Sequence, residues 1–168
     1  MRQLALGSAF GLPTESEIDL AELLVSRPAV GRSVRFANSG TEAVMTALKR
    51  ARAFTGRPKI AKCEGAYHGS YDYAEVSLDP TPAAWGGNAP VSVAYAKGTP
   101  ENVLVDVVTI PFNDIEGAVS LIRERGKELA CVLVDPMPNR AGLAPADKGL
   151  SGGAAAGNAG GRRAFGAR

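Results

Sequence analysis

Residues 36–69 read FANSGTEAVMTALKRARAFTGRPKIAKCEGAYHG, and this stretch decides the fold. Residues 42–54 place small and apolar side chains on one helical face and basic side chains on the other, which predicts an amphipathic helix. Gly56 and Pro58 follow directly and are typical of a helix end. Residues 59–63 are then predicted to form a strand.

Further elements are predicted on both sides of this stretch. A capping box at Thr14 begins a helix that Pro28 ends. Asn113 and Asp114 are predicted to begin another helix, because apolar residues follow them at helical spacing. Short apolar runs predict three more strands, over residues 33–37, 103–110 and 130–134.

Helices and strands therefore alternate through residues 1–150, which predicts one α/β domain with a mostly parallel sheet and flanking helices. The wholly apolar run 130–134 is typical of a strand that is buried on both faces. Residues 64–100 are rich in Gly, Pro, Asp and aromatic residues. A loop of this length inside a compact domain is usually either functional or disordered.

Residues 151–168 read SGGAAAGNAGGRRAFGAR and differ from the rest of the chain. They carry three arginines and no acidic residue, whereas residues 1–150 carry 16 basic and 17 acidic residues. With one large apolar side chain, this segment cannot offset its ordering entropy, so we predict a disordered tail. Since Gly, Ala and Arg have GC-rich codons, we hypothesise that a frameshift produced it.

The composition argues against several classes of protein. No apolar run is long enough for a transmembrane helix, and residues 1–10 lack the layout of a secretory signal. Cys63 and Cys131 have neither disulfide nor metal-ligand spacing, which favours a reducing, cytoplasmic location and no metal site. Three arginines without interleaved aromatic residues are weak evidence for a nucleic-acid or membrane partner.

Ligands of open α/β sheets bind beyond the carboxyl ends of the strands, and the first such place here is a polar turn. Ser39, Gly40 and Thr41 precede the helix predicted over residues 42–54. Exposed amides at a helix N-terminus bind anions, the hydroxyls add donors, and glycine lets a phosphate approach the backbone. The alternative is an ordinary helix cap, for which these residue types are equally typical.

Two other places follow predicted strands. Tyr67 can stack on a planar cofactor, and His68, the one histidine of the chain, can form hydrogen bonds or titrate near neutral pH. Asp135 can orient a ligand group or bind a cation. The alternatives are a surface turn around Tyr67 and a turn that Asp135 begins before Pro136.

Taken together, these residues resemble a known family. Residues 36–52 and the segment GRPKIAKCEGAYHGSYD (residues 56–72) resemble the pyridoxal-phosphate (PLP) dependent class III aminotransferases, and most of all the glutamate-1-semialdehyde 2,1-aminomutase branch. The resemblance extends over residues 7–149. It implies part of the large domain of the PLP-transferase fold type I, a small-molecule amino donor and acceptor, and a homodimeric parent enzyme.

The resemblance also implies roles for individual residues. Ser39, Gly40 and Thr41 match the turn that binds the PLP phosphate. Tyr67 matches the aromatic residue that stacks on the pyridine ring, with His68 as its usual companion.

Two positions depart from the pattern of the family. Asp135 stands where most members have a glutamate near the cofactor, and its side chain is one methylene shorter. Arg140 stands where the aminomutase branch has asparagine, which argues against glutamate semialdehyde as the substrate.

The family's covalent lysine and its ring-nitrogen carboxylate both lie downstream of residue 150. None of the six lysines present matches the lysine motif: Lys49, Lys59, Lys62, Lys97, Lys127 and Lys148. PLP chemistry requires that lysine. The sequence therefore predicts a fragment of an aminotransferase or aminomutase that holds cofactor-binding residues but no catalytic residue. The alternative is a non-catalytic interaction fragment with a basic tail.

Overall fold

The computed structural model describes residues 7, 11–27, 33–85 and 89–150. The chain divides into two units, residues 1–37 and 38–168. The described part of the first unit contains helix α1 (Glu15–Val25), and its N-cap Thr14 accepts a hydrogen bond from the backbone amide of Glu17, as predicted. The tail predicted over residues 151–168 lies outside the described residues.

A three-stranded parallel sheet organises the second unit. Its strands are β1 (Lys59–Cys63), β2 (Val107–Ile110) and β3 (Leu129–Leu133), with β1 in the centre. The helices of this unit are α2 (Gly40–Thr55), α3 (Asp72–Glu75), α4 (Glu101–Val105) and α5 (Ile115–Arg125). The predicted α/β class with a parallel sheet and flanking helices is confirmed.

Strand β1 is buried on both faces because its side chains alternate between two apolar clusters. Ile60 packs in a cluster with Leu48 of α2, and Ala61 packs in a second cluster with Ile122 of α5. The side chains of Leu48, Ile60 and Ile122 have almost no exposed surface. Helices therefore cover both faces of the sheet, which leaves the ends of the strands as the accessible places for a ligand.

Two strand predictions are wrong. Residues 33–37 have no strand partner among the described residues, and Phe36 is exposed. A short alternating run becomes a strand only when a neighbour pairs with it, and the sequence alone does not supply that neighbour.

The run predicted as one strand over residues 103–110 instead forms helix α4 and then strand β2. Local hydrogen bonds close the helix, from the Val103 amide to the Pro100 carbonyl and from the Asp106 amide to the Asn102 carbonyl. A short apolar run is compatible with a helix or a strand. Here the turn that begins after Pro100 makes the first half of the run helical.

Hydroxyl groups hold the long segment between β1 and α4 against the sheet. The Thr109 hydroxyl of β2 lies 3.1 Å from the Ser77 hydroxyl and 3.0 Å from the Ser92 hydroxyl. Ser92 also donates to the backbone carbonyl of Val107 at 2.6 Å. The described part of this loop is thus ordered by side chains as well as by helix α3. Among the described residues, no helix combines the length and apolarity that a membrane crossing needs.

Candidate functional site

Three segments meet at the carboxyl edge of the sheet. Strands β1 and β3 are parallel neighbours, so the residues after Cys63 and after Leu133 emerge at the same edge. Helix α2 ends beside the start of β1, to which a short turn connects it. The beginning of α2 therefore lies at the other end of the strand, which is the carboxyl edge. The sequence predicted all three segments at strand or helix ends, and the structure places those ends together.

The N-terminus of α2 leaves two backbone amides without an intrahelical partner. The Ser39 hydroxyl accepts a hydrogen bond from the Glu42 amide at 3.2 Å, and the Glu42 carboxylate accepts one from the Asn38 amide at 2.9 Å. The amides of Gly40 and Thr41 come first in the helix and have no preceding turn to bond to. A side chain built at Gly40 would meet nothing within 4 Å, so the space in front of it is open. The positive end of the helix dipole thus faces an accessible surface.

Thr41 joins this helix terminus to the loop that follows β1. Its hydroxyl oxygen accepts a hydrogen bond from the Ser70 amide at 3.1 Å. A Cβ atom on Gly69 would lie 2.5 Å from that oxygen and 2.8 Å from the Thr41 Cα. Gly69 also has a φ of 92°, a backbone conformation that side chains disfavour. Glycine is therefore required here twice, once for the conformation and once for the contact.

Tyr67 lies in the same loop and keeps part of its surface open. Its side chain is 42% exposed, whereas the neighbouring Ala66 is buried. An aromatic ring held between a buried residue and solvent offers a face for stacking on a planar ligand.

His68 is largely buried, and burial lowers the pKa of its imidazole to about 4, with the Lys62 charge acting in the same direction and Asp135 opposing it. The ring is therefore neutral at pH 7. Its Nε2 atom is inaccessible and has no hydrogen-bond partner among the described residues. A buried polar atom without a partner costs free energy, so this atom is a candidate contact for a bound molecule.

Asp135 follows β3 and is half-buried. Its Oδ1 atom accepts a hydrogen bond from the Met137 amide at 2.9 Å, which makes it the turn residue of the alternative interpretation. Its charge also acts on the pKa values of His68 and Cys63, so the carboxylate lies in the neighbourhood of both. The two interpretations of Asp135 are therefore compatible.

Sequence reasoning missed one functional candidate, Lys62. This residue of β1 is completely buried, and its Nζ atom donates a hydrogen bond to the Val76 carbonyl oxygen at 2.6 Å. Burial lowers its pKa to about 8, while the nearby Cys63 and Glu64 raise it. The sequence could have indicated this residue, because a lysine inside a strand with both faces buried must find a hydrogen-bond partner in the interior.

Within the described part of the chain, no three His, Cys, Asp or Glu side chains are grouped to hold a metal ion. The polar groups at the sheet edge are amides, hydroxyls, an imidazole and a carboxylate. Such groups are suited to an organic anion with a planar part.

The chain matches the family model Aminotransferase class-III over residues 2–156. It is 42% identical over 147 residues to glutamate-1-semialdehyde 2,1-aminomutase of Methanothermobacter thermautotrophicus, which covers 88% of this chain and 33% of that protein. It is 54% identical to the crystal structure of an omega-transaminase from Sphaerobacter thermophilus, with a TM-score of 0.79, covering 90% of this chain and 34% of that one. A solved transaminase with PLP bound is 45% identical, with a TM-score of 0.80, covering 93% of this chain and 35% of that one. The chain thus spans about a third of the length of these relatives.

Proposed function

We propose that this chain, which belongs to the class-III aminotransferase family, carries the phosphate-binding and ring-stacking part of a PLP enzyme that moves an amino group between small molecules. The observation that carries the proposal is the contact between Gly69 and Thr41. This contact brings the anion-binding helix terminus beside the loop of Tyr67, and PLP has both a phosphate and a planar ring.

The residues present suit this cofactor. The amides of Gly40 and Thr41 suit a phosphate at a helix N-terminus. The hydroxyl groups of Ser39 and Thr41 accept hydrogen bonds from backbone amides, so each retains a proton to donate to an anion. The buried Nε2 atom of His68 lacks a partner among the described residues and is available for one more hydrogen bond.

Each residue would contribute in a definable way. PLP, when bound, supplies the electron sink that amino-group transfer needs. The α2 terminus would bind the phosphate, and Tyr67 would orient the ring and exclude water from one of its faces. His68, neutral at pH 7, would donate or accept one hydrogen bond without adding charge, and Asp135 would supply a negative charge near the ring.

Two observations favour a transaminase over an aminomutase. The identity to the omega-transaminase is 54%, against 42% to the aminomutase. By the family resemblance, Arg140 stands where the aminomutase branch has asparagine. We propose further that the enzyme is a homodimer, as the family resemblance implies, and that it is cytoplasmic, since its two cysteines lack disulfide spacing.

We propose that these 168 residues alone bind PLP at most weakly, without a covalent bond, and do not catalyse turnover, because none of their six lysines matches the lysine motif of the family. Titrating the chain with PLP and with pyridoxal, monitored by equilibrium dialysis, tests the binding. We expect PLP to bind at least tenfold more tightly, since pyridoxal lacks the phosphate. Equal affinity for the two ligands would contradict a phosphate site at α2.

Borohydride reduction of the mixture followed by peptide mass mapping tests the absence of a covalent link. We expect scattered, substoichiometric labelling of surface lysines. Stoichiometric labelling of one lysine would overturn this part of the proposal.

A further inference from the structure

A buried lysine lies below the candidate site without a part in the function proposed above. Lys62 has no exposed surface, and its Nζ atom donates to the Val76 carbonyl oxygen at 2.6 Å. A lysine buried among apolar residues is costly unless it is hydrogen-bonded. The acceptor belongs to the backbone, so loss of the lysine would leave the Val76 carbonyl oxygen without this donor, and the contact therefore constrains where Val76 lies against β1.

The partner of Lys62 belongs to an anchor segment, residues 76–77, that connects several elements. The carbonyl oxygen of Ser77 accepts a hydrogen bond from the Gly65 amide at 2.8 Å. The Ser77 hydroxyl accepts one from the Val93 amide at 3.0 Å and lies 3.1 Å from the Thr109 hydroxyl of β2. The anchor segment therefore links β1, β2 and the beginning of the loop that carries Tyr67.

That loop, residues 64–70, is held at both of its ends. At its start, Gly65 donates to the anchor segment. At its end, Gly69 contacts Thr41 and the Ser70 amide donates to the Thr41 hydroxyl. With both ends fixed, the position of Tyr67 relative to the α2 terminus is also fixed. The Glu64 amide also donates to the Ile110 carbonyl oxygen at 2.9 Å, so release of the anchor segment would loosen the loop from residue 65 onward.

We propose that Lys62 is a positioning residue whose hydrogen bond to Val76 fixes the anchor segment and so sets the position of Tyr67 beside the N-terminus of α2. The inference rests on the proposed function only for the identity of the ligand. The Lys62 charge also acts on the pKa values of Glu64 and His68, which places it close to the polar side chains of this loop.

Amide hydrogen exchange in the full 168-residue chain without ligand tests the positioning. The variants are Lys62→Met and Lys62→Gln. Methionine and glutamine have side chains of the same length as each other, but only glutamine keeps an N–H donor. The matched control is Lys59→Met, a lysine of the same strand that pairs with Glu128 instead. The measured amides are those of Gly65 and Ser70, with the amides of α5 as an internal reference.

We expect exchange at Gly65 to be about tenfold faster in Lys62→Met and several-fold faster in Lys62→Gln, with a smaller increase at Ser70, whose amide bonds to Thr41, and with α5 unchanged. Lys59→Met is expected to exchange like the wild type at both positions. Wild-type rates in the Lys62 variants, or a uniform increase that includes α5, would overturn the proposal. If only the glutamine variant folds, its own exchange at these two amides decides in the same way.

The affinity for PLP supplies a second measurement. We expect about tenfold weaker binding in Lys62→Met, equivalent to about 1.4 kcal/mol, and no change in Lys59→Met. Unchanged affinity in Lys62→Met would also count against the proposal. If the wild-type chain does not bind PLP, the proposed function fails, whereas the exchange experiment still decides the role of Lys62.

Discussion

The two ends of strand β1 each contain a lysine, and the two lysines are stabilised in opposite ways. Lys59 forms an ion pair at 2.6 Å with Glu128, whose side chain is 45% exposed. Lys62 is completely buried and bonds to the Val76 carbonyl. Water can replace Glu128 as a partner, but it has no access to Lys62. Of these two lysine contacts, the one that water cannot replace therefore lies at the carboxyl end, beside the candidate site.

The largest expected effect is that of Gly69→Ala, at the carboxyl end. The added Cβ would meet Thr41 at 2.5 Å and would also strain a φ of 92°. We expect a loss of about 4 kcal/mol in unfolding free energy, measured by urea denaturation. The control is Gly98→Ala, which has a φ of 89° but nothing within 4 Å, and it should lose only about 1 kcal/mol. Equal losses in the two variants would show that the contact with Thr41 has no cost of its own.

The second largest effect is expected on acidification, which should lower the free energy of unfolding through His68 at the carboxyl end. Burial lowers the pKa of His68 from 6.5 to about 4, so between these values the unfolded chain binds a proton that the folded chain does not. The stability from the neutral ring is therefore complete above pH 6.5 and falls as the pH decreases, by about 3 kcal/mol at pH 4.

Urea denaturation between pH 7 and pH 5 measures this slope, and His68→Gln is expected to abolish it. His68 is the one histidine of the sequence, so no other imidazole contributes. Glu64, whose pKa is raised by burial, acts in the opposite direction at lower pH. If the pH dependence of the unfolding free energy persists in His68→Gln, a group other than His68 causes it.

A smaller effect is expected in alkaline solution. The pKa of Lys62 is about 8 instead of 10.5, so the folded chain binds fewer protons above pH 8 and stability increases with pH. The pKa values of Cys63 and Cys131 are raised by burial from 9.0 to about 11, so above pH 9 two thiols favour the unfolded chain. From pH 8 to 9 the lysine adds about 1 kcal/mol and the two thiols together remove about 0.7 kcal/mol, so stability should increase by about 0.3 kcal/mol and then decrease above pH 9.

Urea denaturation between pH 7.5 and 10 locates that maximum. In Lys62→Met the increase should be absent while the decrease remains. A steady decrease from pH 8 in the wild type would contradict a buried lysine that becomes neutral.

The smallest effect is expected at the amino end of β1. Lys59 lowers the pKa of the exposed Glu128 through a side-chain hydrogen bond, but water and salt compete for both groups. Glu128→Gln should leave the midpoint of thermal unfolding nearly unchanged, and molar salt should remove any difference. A loss comparable to that of Gly69→Ala would reverse the comparison between the two ends.

The sequence allowed good prediction wherever local chemistry decides. Helix α2 and strand β1 were predicted because amphipathic spacing and the Gly56–Pro58 stop are local features. The shared location of Ser39–Thr41, Tyr67 and Asp135 followed from a general rule about parallel sheets.

Prediction failed wherever a partner distant in sequence decides. The run at residues 33–37 had a strand pattern but has no paired neighbour among the described residues. The Lys62 contact depends on where the chain brings Val76 back to the sheet, and the hydrophobic pattern of the sequence does not indicate that position. The close approach of Gly69 to Thr41 likewise appears only after both loops are folded, although each motif was recognised separately.

That approach has a consequence for the evolution of the protein. A side chain at position 69 would meet the backbone Cα atom of Thr41 as well as its side chain, so no smaller residue at position 41 makes room for it. The φ of 92° excludes most side chains independently. We expect glycine to persist at position 69 among homologues whatever residue stands at position 41, so this lineage has one position that a compensating change cannot release.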